Sequence, residues 1–476
     1  MGLFSHYALE RFHDEMFEAP GTPRPHYRRL YEALRKMPPA SFRERNETLE
    51  AAMLRQGITF TLASQDGNLE RTLPFDPVPR ILAAKEWEAL ERGLVQRVKA
   101  LNAFLLDVYG AGKILADGVI PRERVLKSPG YRPQAKGLRP PRDVCIHVAG
   151  IDLVRDEAGT FRVLEDNVRT PSGVSYVLKN RELMKKLFPQ FFHDHKVRPV
   201  DIYPQWLLET LRSLAPDPQA ATVAVLTPGL YNSAFFEHSF LAKMMGVELC
   251  EGRDLFVRDD AVWMRTTRGP VRVDVIYRRV DDDFLDPEVF RPDSQLGIPG
   301  ILRAYRKGRV VIANAVGNGV ADDKAVYPYV PDMIRYYLGE DPVLPNVPTY
   351  VCARPEDLKE VLERLPELVV KRTDGSGGYG MLVGPHATRA ELAAFRKSLR
   401  KNPRDYIAQP TLALSRHPTY VGARGFEGRH VDLRPYVLYG ENVRVIPGGL
   451  TRVALRKGSL VVNSSQGGGS KDTWVL

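Results

Sequence analysis

The sequence predicts a mixed α/β fold that is built mainly from antiparallel strand pairs and contains one small parallel sheet. Three stretches carry this prediction. Residues 145–167 read as two strands joined by a turn at 156–159, and residues 368–383 read as two strands joined by a glycine-rich loop. Residues 222–250 read as a buried strand, a helix and a second strand, which is the pattern of a parallel sheet.

The first predicted hairpin carries oxygen ligands. Its second strand runs into VLEDNVRTPSG (163–173), where Glu165 and Asn167 stand two residues apart and so point to the same side. The turn would lay Asp152 beside Glu165. Carboxylate and amide oxygens are the ligands that Mg²⁺ prefers. The pattern therefore predicts a metal site at these three residues, and an ordinary acidic surface hairpin is the alternative.

The second predicted hairpin carries phosphate-binding features. The apolar strand 368–371 ends in Lys371, and RTDGSGGYG (372–380) follows it. Glycines let the backbone approach a ligand and aim its N–H groups at phosphate oxygens, and a lysine adds a point charge. The residue order is not that of a Walker loop. A flexible glycine-rich hairpin is the alternative.

Together these motifs resemble the ATP-grasp superfamily, in the inverted order of circularly permuted members such as glutathionylspermidine synthetase. The stretches 275–286, 313–324 and 464–476 resemble uncharacterised bacterial circularly permuted ATP-grasp proteins. The resemblance covers roughly residues 75–476. It implies an α/β (α+β) fold with mainly antiparallel ATP-binding sheets, a small parallel-sheet domain and a helical N-terminal region.

The resemblance also implies roles for individual residues. The implied metal ligands are Asp152, Glu165 and Asn167; the implied nucleotide-binding residues are Lys324, Lys371, Gly375, Ser376, Gly377, Gly378, Tyr379, Gly380 and Gln409; the implied catalytic residues are Arg452, Arg434 and Arg169. Arg434 has the alternative of a structural ion pair with Asp432 or another acid. Arg169 is expected to bind the acceptor carboxylate, with a salt bridge as the alternative.

The activity implied by the resemblance is that of an ATP- and Mg²⁺-dependent carboxylate–amine ligase that works through an acyl phosphate. Its substrates would be small-molecule or peptide carboxylates and amines. A catalytically inactive ATP-binding scaffold or regulatory protein, and an ATP-dependent small-molecule kinase, are the alternatives. Glutathionylspermidine synthetase carries an arginine at the position of Gly150 and an acid at that of Arg169. The second change speaks against a polyamine acceptor.

Composition narrows the range of protein classes and compartments that fit this chain. The chain has 476 residues, a hydrophobic share of 43% and a net charge of +10. It carries no nucleic-acid-binding motif, and basic runs such as 396–401 favour a solvated helix face. The isolated Cys145, Cys250 and Cys352 favour a reducing cytoplasm over disulfides or zinc. No apolar run is long enough to predict a membrane span, and the oligomeric state stays open.

Four regions are predicted along the chain: 1–75 helical; 76–200 with helices and the metal-bearing strands; 201–310 a small α/β domain; 311–476 the ATP-binding domain. Helices are expected at 27–37, 42–56 and 83–106, with a proline-rich connector at 73–79. Asn232, Ser233, Glu237 and His238 are expected to line a site in the small domain, or else to form the N-cap and a solvated face of the helix that begins there. The tail 467–471 is expected to form a second anion nest around Lys471 or to be disordered, although Trp474 argues against disorder.

Overall fold

Antiparallel strand pairs form most of the sheet structure. The computed structural model describes residues 2–64, 67–193, 195–373, 380–459, 462 and 468–476, with only the backbone at 60–64 and 67–71. The helices are α1 Arg28–Lys36, α2 Pro39–Arg55, α3 Ala84–Tyr109, α4 Lys113–Ala116, α5 Arg122–Leu126, α6 Val174–Leu187, α7 Pro189–His193, α8 Tyr203–Arg212, α9 Phe235–Met245, α10 Asp282–Leu285, α11 Ile301–Arg306, α12 Val330–Leu338, α13 Pro355–Arg364 and α14 Arg389–Lys401. The strands are β1 Phe17–Ala19, β2 Thr22–Pro23, β3 Thr59–Ser64, β4 Gly67–Thr72, β5 Phe75–Leu82, β6 Val148–Arg155, β7 Phe161–Asn167, β8 Val223–Leu226, β9 Glu248–Cys250, β10 Leu255–Arg258, β11 Ala261–Met264, β12 Val271–Val273, β13 Val275–Arg278, β14 Val311–Ala313, β15 Tyr350–Val351, β16 Leu368–Arg372, β17 Leu382–Val383, β18 Tyr406–Pro410, β19 Arg416–Tyr420, β20 Phe426–His430, β21 Tyr436–Tyr439, β22 Val443–Val445, β23 Thr451–Val453 and β24 Gly469–Val475.

Two four-stranded antiparallel sheets carry the predicted chemistry. The first has the order β22-β21-β6-β7 and contains the hairpin β6–β7. The second has the order β15-β18-β16-β17 and contains the strand that ends near Lys371. In the second sheet β17 pairs back onto β16, with Val370 opposite Leu382. A strand therefore follows the glycine-rich segment directly, as the sequence predicts.

The small parallel sheet lies in sequence between the hairpin β6–β7 and the strands of the second antiparallel sheet. Its order is β14-β13-β8-β9, and β13 pairs in parallel with both β8 and β14. Helix α9 connects β8 to β9, which confirms the predicted β-loop-α-β unit. All residues of β8 and β13 are buried, as expected for strands covered on both faces.

Strand β5 and strand β24, nearly 400 residues apart in sequence, pair in one sheet. The stretch 73–79, predicted as a connector, instead enters the buried strand β5, which pairs in parallel with β24. Because the sheet order is β23-β24-β5, β5 is an edge strand and tolerates Pro77 and Pro79. Lys471 lies in β24, buried, and its ammonium donates to Asp76. The predicted anion nest around Lys471 is therefore wrong, and residues 468–476 are ordered.

The helices observed near the N-terminus are those that the sequence predicts. Helices α1 and α2 match the two predicted helices, and the hairpins β1–β2 and β3–β4 accompany them. Helix α3 buries its predicted apolar stripe, which consists of Leu90, Leu94, Val98, Leu101 and Leu105. In the described part of the chain no helix combines the length and the apolar character needed to cross a bilayer.

Candidate functional site

The hairpin β6–β7 brings the three predicted metal ligands together. Asp152 lies opposite Glu165 and Gly150 lies opposite Asn167, with a bulge after Asp152. Asn167 Nδ2 donates to Asp152 Oδ1 at 3.2 Å. The predicted register of the hairpin is therefore confirmed. It follows from the tight turn after Arg155 and from the two-residue period of the strands.

Two arginines from the C-terminal part of the chain hold the Asp152 carboxylate. Arg434 Nε lies 2.5 Å from Oδ1, and Arg434 Nη2 donates to Oδ2 at 2.6 Å. Arg452 Nη2 donates to the same Oδ2 at 2.8 Å, and its Nε donates to Asp432 Oδ2 at 2.9 Å. Burial alone would lower the pKa of Arg434, but the Asp152 carboxylate raises it. Arg434 thus forms the ion pair that the sequence left open, with Asp152 as its partner.

Glu165 is more accessible than Asp152 and lies among cations. Its side chain is 28% exposed, against 1% for Asp152, and its Oε2 lies 3.6 Å from Lys324 Nζ. Burial would raise the pKa of Glu165, but Lys324, Lys371 and the two arginines lower it to about 2. Glu165 is therefore ionised throughout the physiological range.

Lys371 extends from β16 toward the same site. Its Nζ donates to Gln409 Oε1 at 2.8 Å, and Gln409 Nε2 donates to Thr349 Oγ1 at 3.0 Å. No carboxylate among the described residues lies within ion-pair distance of Lys371. Burial lowers the pKa of this lysine. A partly desolvated cation without a paired acid is suited to receive phosphate oxygens.

The glycine-rich segment is described only at its end. Gly375, Ser376, Gly377, Gly378 and Tyr379 lie outside the described residues, so their predicted contacts with phosphate stay predictions. Gly380 has a φ of +69°, a left-handed conformation that favours glycine.

Lys324 lies in a turn, and helix α12 begins later, at Val330. The segment 327–329 forms a short 3₁₀ helix in front of α12, and prolines occupy positions 328 and 331. A proline restricts the residue before it and cannot donate a backbone hydrogen bond, which delays the regular helix. The turn leaves the Lys324 ammonium within reach of Glu165.

Arg169 follows the predicted metal ligands Glu165 and Asn167 and is held by acids. Its Nε donates to Asp322 Oδ2 at 2.6 Å, and its Nη1 lies 3.8 Å from Asp281 Oδ1. The other Asp322 oxygen accepts a hydrogen bond from Val168 N at 2.5 Å. The salt bridge named as the alternative is present, and the proposed binding of an acceptor carboxylate by Arg169 stays a prediction.

Asn314 fixes both strands of the hairpin, a role that the sequence did not reveal. Its Nδ2 donates to the carbonyl oxygens of Val148, Val168 and Arg169 at 2.7, 2.8 and 3.0 Å. Its Oδ1 accepts from His147 N at 2.6 Å and Val148 N at 2.8 Å. Asn314 belongs to the stretch 313–324 that carried the family resemblance, so its position was marked, but its partners were not.

Two residues of the small parallel-sheet unit hold the turn that follows Glu165 and Asn167. Glu237 Oε2 accepts from Gly173 N at 2.7 Å and from both Ser175 N and Ser175 Oγ at 2.9 Å. Arg279 Nη2 donates to Thr170 O at 3.3 Å and lies 3.6 Å from Glu237 Oε1. Glu237 therefore holds the start of α6, and because it is buried, the solvated helix face named as its alternative is wrong. Arg278 is used in bonds to backbone carbonyls such as Asn314 O.

These residues fit Mg²⁺ that is shared with a phosphate ligand. Among the described residues no group of three His, Cys, Asp or Glu side chains is arranged to hold a metal alone. Glu165 offers a carboxylate, and Asn167 keeps its amide oxygen because its nitrogen donates to Asp152. Protein Mg²⁺ sites commonly use one or two carboxylates and complete the octahedron with phosphates and water. Since both oxygens of Asp152 are held by arginines, its predicted role as a metal ligand stays a prediction.

Comparison with known proteins agrees with this arrangement. The model of the family "circularly permuted ATP-grasp type 2" matches residues 79–454. The chain belongs to the circularly permuted ATP-grasp family. A glutathione synthetase-like effector from Globodera pallida, solved in its apo form, is similar with a TM-score of 0.58 at 10% identity, over 93% of this chain and 98% of that one. The predicted family and fold class are confirmed.

Relatives of this ATP-grasp protein occur in several bacterial groups. An uncharacterized protein of Synechocystis sp. is 58% identical over 99% of this chain and 98% of its own length. A Frankia casuarinae protein named "Putative glutamate–cysteine ligase 2-2" is 46% identical over 98% of this chain. The ATP-grasp chain spans only 54% of that Frankia protein.

Proposed function

We propose that this ATP-grasp protein is an ATP- and Mg²⁺-dependent carboxylate–amine ligase. The observation that carries the proposal is a cluster of cations beside Glu165: Lys324 lies 3.6 Å from it, and Arg434 and Arg452 are bound to Asp152, which faces Glu165 across the hairpin. Such a cluster suits the transfer of a phosphoryl group, in which positioning and charge stabilisation supply most of the catalysis. The three cysteines are buried, which does not favour a cysteine nucleophile.

The proposed reaction has two steps. A carboxylate oxygen of the first substrate attacks the γ-phosphorus of ATP, the bond from that phosphorus to the bridging oxygen breaks, and ADP leaves with the electron pair. The nitrogen of the amine then attacks the acyl carbon, the bond to the phosphate oxygen breaks, and phosphate leaves as the nitrogen loses a proton. Mg²⁺, when bound, neutralises the phosphate charge.

Different residues are assigned to different parts of this reaction. Lys371 and Lys324 contact the phosphates as point charges, and Glu165 with Asn167 hold the shared cation. Asp152 fixes Arg434 and Arg452, so that their remaining N–H groups are oriented before the substrate arrives. Preorganised donors need no reorientation as charge develops in the transition state.

The names of relatives guide the choice of substrates. Two Frankia relatives named as putative glutamate–cysteine ligases are about twice this length, so that name belongs to proteins that contain much more chain. The likeness to a glutathione synthetase-like structure is at the level of fold. We therefore include amino acids and γ-glutamyl dipeptides first among the carboxylates to be tested.

The decisive experiment replaces Glu165 by glutamine. Hydroxylamine, a small amine, traps an acyl phosphate as a hydroxamate, so a carboxylate panel can be screened with ATP and Mg²⁺ before the natural amine is known. We expect hydroxamate and ADP from the wild type, and a loss of at least 100-fold in Glu165→Gln. Glu157→Gln, the same change on the exposed turn of the same hairpin, should keep full activity.

Three outcomes would contradict the ligase proposal. Full activity of Glu165→Gln would remove the site from the mechanism. A stable phosphorylated product, formed with no need for an amine, would indicate a kinase. No consumption of ATP across the panel, in a wild-type protein that binds Mg²⁺-ATP, would indicate a scaffold.

A further inference from the structure

An irregular segment of backbone carries Lys324 past the hairpin β6–β7. Residues 318–327 comprise a 3₁₀ helix over Asn318–Asp322, a turn that contains Lys324, and Tyr327 at the start of a second 3₁₀ helix. A lysine side chain is a flexible four-carbon stem that ends in a point charge. The position of the Lys324 ammonium therefore depends on how the backbone of this segment is held.

Asp322 binds this segment to the end of β7. Its Oδ1 accepts a hydrogen bond from Val168 N at 2.5 Å, and its Oδ2 accepts one from Arg169 Nε at 2.6 Å. The Asp322 side chain is 10% exposed, and its carboxylate raises the pKa of Arg169. Asn318 Nδ2 donates to Val168 O at 2.5 Å. Side chains of the segment therefore engage both the N–H and the carbonyl oxygen of Val168.

Tyr327 lies on the other side of Lys324 and provides a second fixed point. Its hydroxyl donates to Val163 O at 2.5 Å, and its side chain is buried. The two anchors thus fall on β7 at Val163 and just beyond its end at Val168. Glu165 lies between them, with its Oε2 3.6 Å from Lys324 Nζ. The segment and the strand are therefore fixed to each other on both sides of this contact between lysine and carboxylate.

We propose that Asp322 is a positioning residue, which holds the Lys324 ammonium beside Glu165 where the phosphates of the nucleotide bind. Asp322 acts through Lys324 in this assignment, and Arg169 serves as its counter-ion. The assignment rests on the proposed function and adds a residue to which no sequence pattern gave a role. A charge that is in place before the ligand arrives needs no reorientation on binding. Loss of Asp322 therefore weakens nucleotide binding only as far as Lys324 contributes to it.

A double-mutant cycle on the full chain tests this proposal. Calorimetry measures the affinity for a non-hydrolysable ATP analogue with Mg²⁺ in wild type, Asp322→Ala, Lys324→Met and the double variant. Lys324→Met removes a charged donor and should weaken binding about 10-fold or more. Asp322→Ala should weaken it at least 5-fold. The double variant should bind within 2-fold of Lys324→Met alone, because losses that act through the same residue do not add.

Two further variants control for charge and for folding. Asp281→Asn removes the other acid near Arg169, which is 51% exposed and lies 3.8 Å from that guanidinium, and it should leave the affinity within 2-fold of wild type. Asp322→Asn keeps an oxygen for Val168 N and removes only the charge, so it folds even if the alanine variant does not. Its affinity should fall at least 3-fold, and its combination with Lys324→Met should again bind within 2-fold of Lys324→Met alone.

Losses that multiply in the double variants would overturn the assignment, because Asp322 would then act independently of Lys324. Unchanged affinity in the Asp322 variants would overturn it as well, as would a wild type that binds no nucleotide. Hydroxamate formation separates this proposal from the ligase. If the wild type forms hydroxamate but the losses multiply, the ligase stands and the role of Asp322 falls. If the losses do not multiply and no hydroxamate forms, the role of Asp322 stands and the ligase falls.

Discussion

Replacing Lys371 by methionine should leave the fold intact and weaken nucleotide binding. The folded protein keeps this ammonium partly desolvated, and burial lowers its pKa, so its charge does not stabilise the ligand-free state. Methionine is unbranched and similar in length, and it fits the same space. Its main loss is the hydrogen bond to Gln409 Oε1, worth about 1 kcal/mol. We expect the free energy of unfolding of the ligand-free variant to lie within about 1 kcal/mol of wild type.

The effect on nucleotide binding should be much larger. A hydrogen bond from a charged donor contributes about 1.5–3 kcal/mol, which corresponds to roughly 10- to 150-fold in affinity. With ATP and Mg²⁺ at 100 times the wild-type Kd, the wild type should gain about 2.7 kcal/mol of stability. If the affinity falls 100-fold, the same concentration stabilises the variant by only about 0.4 kcal/mol.

Urea unfolding with and without nucleotide measures both effects in one series. Lys397→Met is the control, because Lys397 is exposed on α14 and its replacement by methionine removes the same charge. It should show the full stabilisation by ATP. The reasoning is refuted if ATP stabilises Lys371→Met as much as wild type. It is also refuted if the ligand-free variant loses more than about 2 kcal/mol, since Lys371 would then be structural.

Two further predictions concern buried groups around the hairpin. Asp152→Asn leaves Arg434 without a carboxylate and should lower the free energy of unfolding by about 3–5 kcal/mol, measured in urea; unchanged stability would contradict the role of Asp152 as the anchor of the arginines. Burial lowers the pKa of His147 to about 3 in the folded protein, whereas in the unfolded chain the histidine keeps its ordinary pKa of about 6.5. As the pH falls below about 6.5, the unfolded state therefore takes up a proton that the folded state does not. The free energy of unfolding should be about 2 kcal/mol lower at pH 5 than at pH 7.5. His147→Phe should remove that part of the pH dependence, since neither ring nitrogen has a hydrogen-bond partner among the described residues; an unchanged difference between pH 7.5 and pH 5 would refute this.

The parts of the site that the sequence predicts are local in the chain. Asp152, Glu165 and Asn167 lie within sixteen residues of one another, so a turn and the two-residue period of strands are enough to place them together. The same holds for β16, the glycine-rich segment and β17. The parallel unit β8-α9-β9 was also predictable, because each element follows the previous one along the chain.

The parts that escaped prediction depend on distant partners. Arg434 and Arg452 contact Asp152 across 282 and 300 residues of sequence, and no local pattern specifies which acid each arginine will meet. The strand β5 was missed for a related reason. Its prolines favour a connector, and only its partner β24, near the other end of the chain, makes it a strand. Local propensity was overridden there by tertiary pairing.

Asp152 and Glu165 face each other across the hairpin but differ in what surrounds them. Asp152 is fully buried and both its oxygens are bound by guanidinium groups, so its charge is already neutralised. Glu165 is more exposed, and its Oε2 lies 3.6 Å from Lys324 Nζ. A cation that arrives with phosphates can therefore reach Glu165 without displacing an arginine. Under the proposed function, the hairpin separates a permanent anchor for Arg434 and Arg452 from an exchangeable ligand for the nucleotide. Asp152→Asn is expected to act chiefly on stability and Glu165→Gln on turnover alone, and the contrast between the two variants tests that separation.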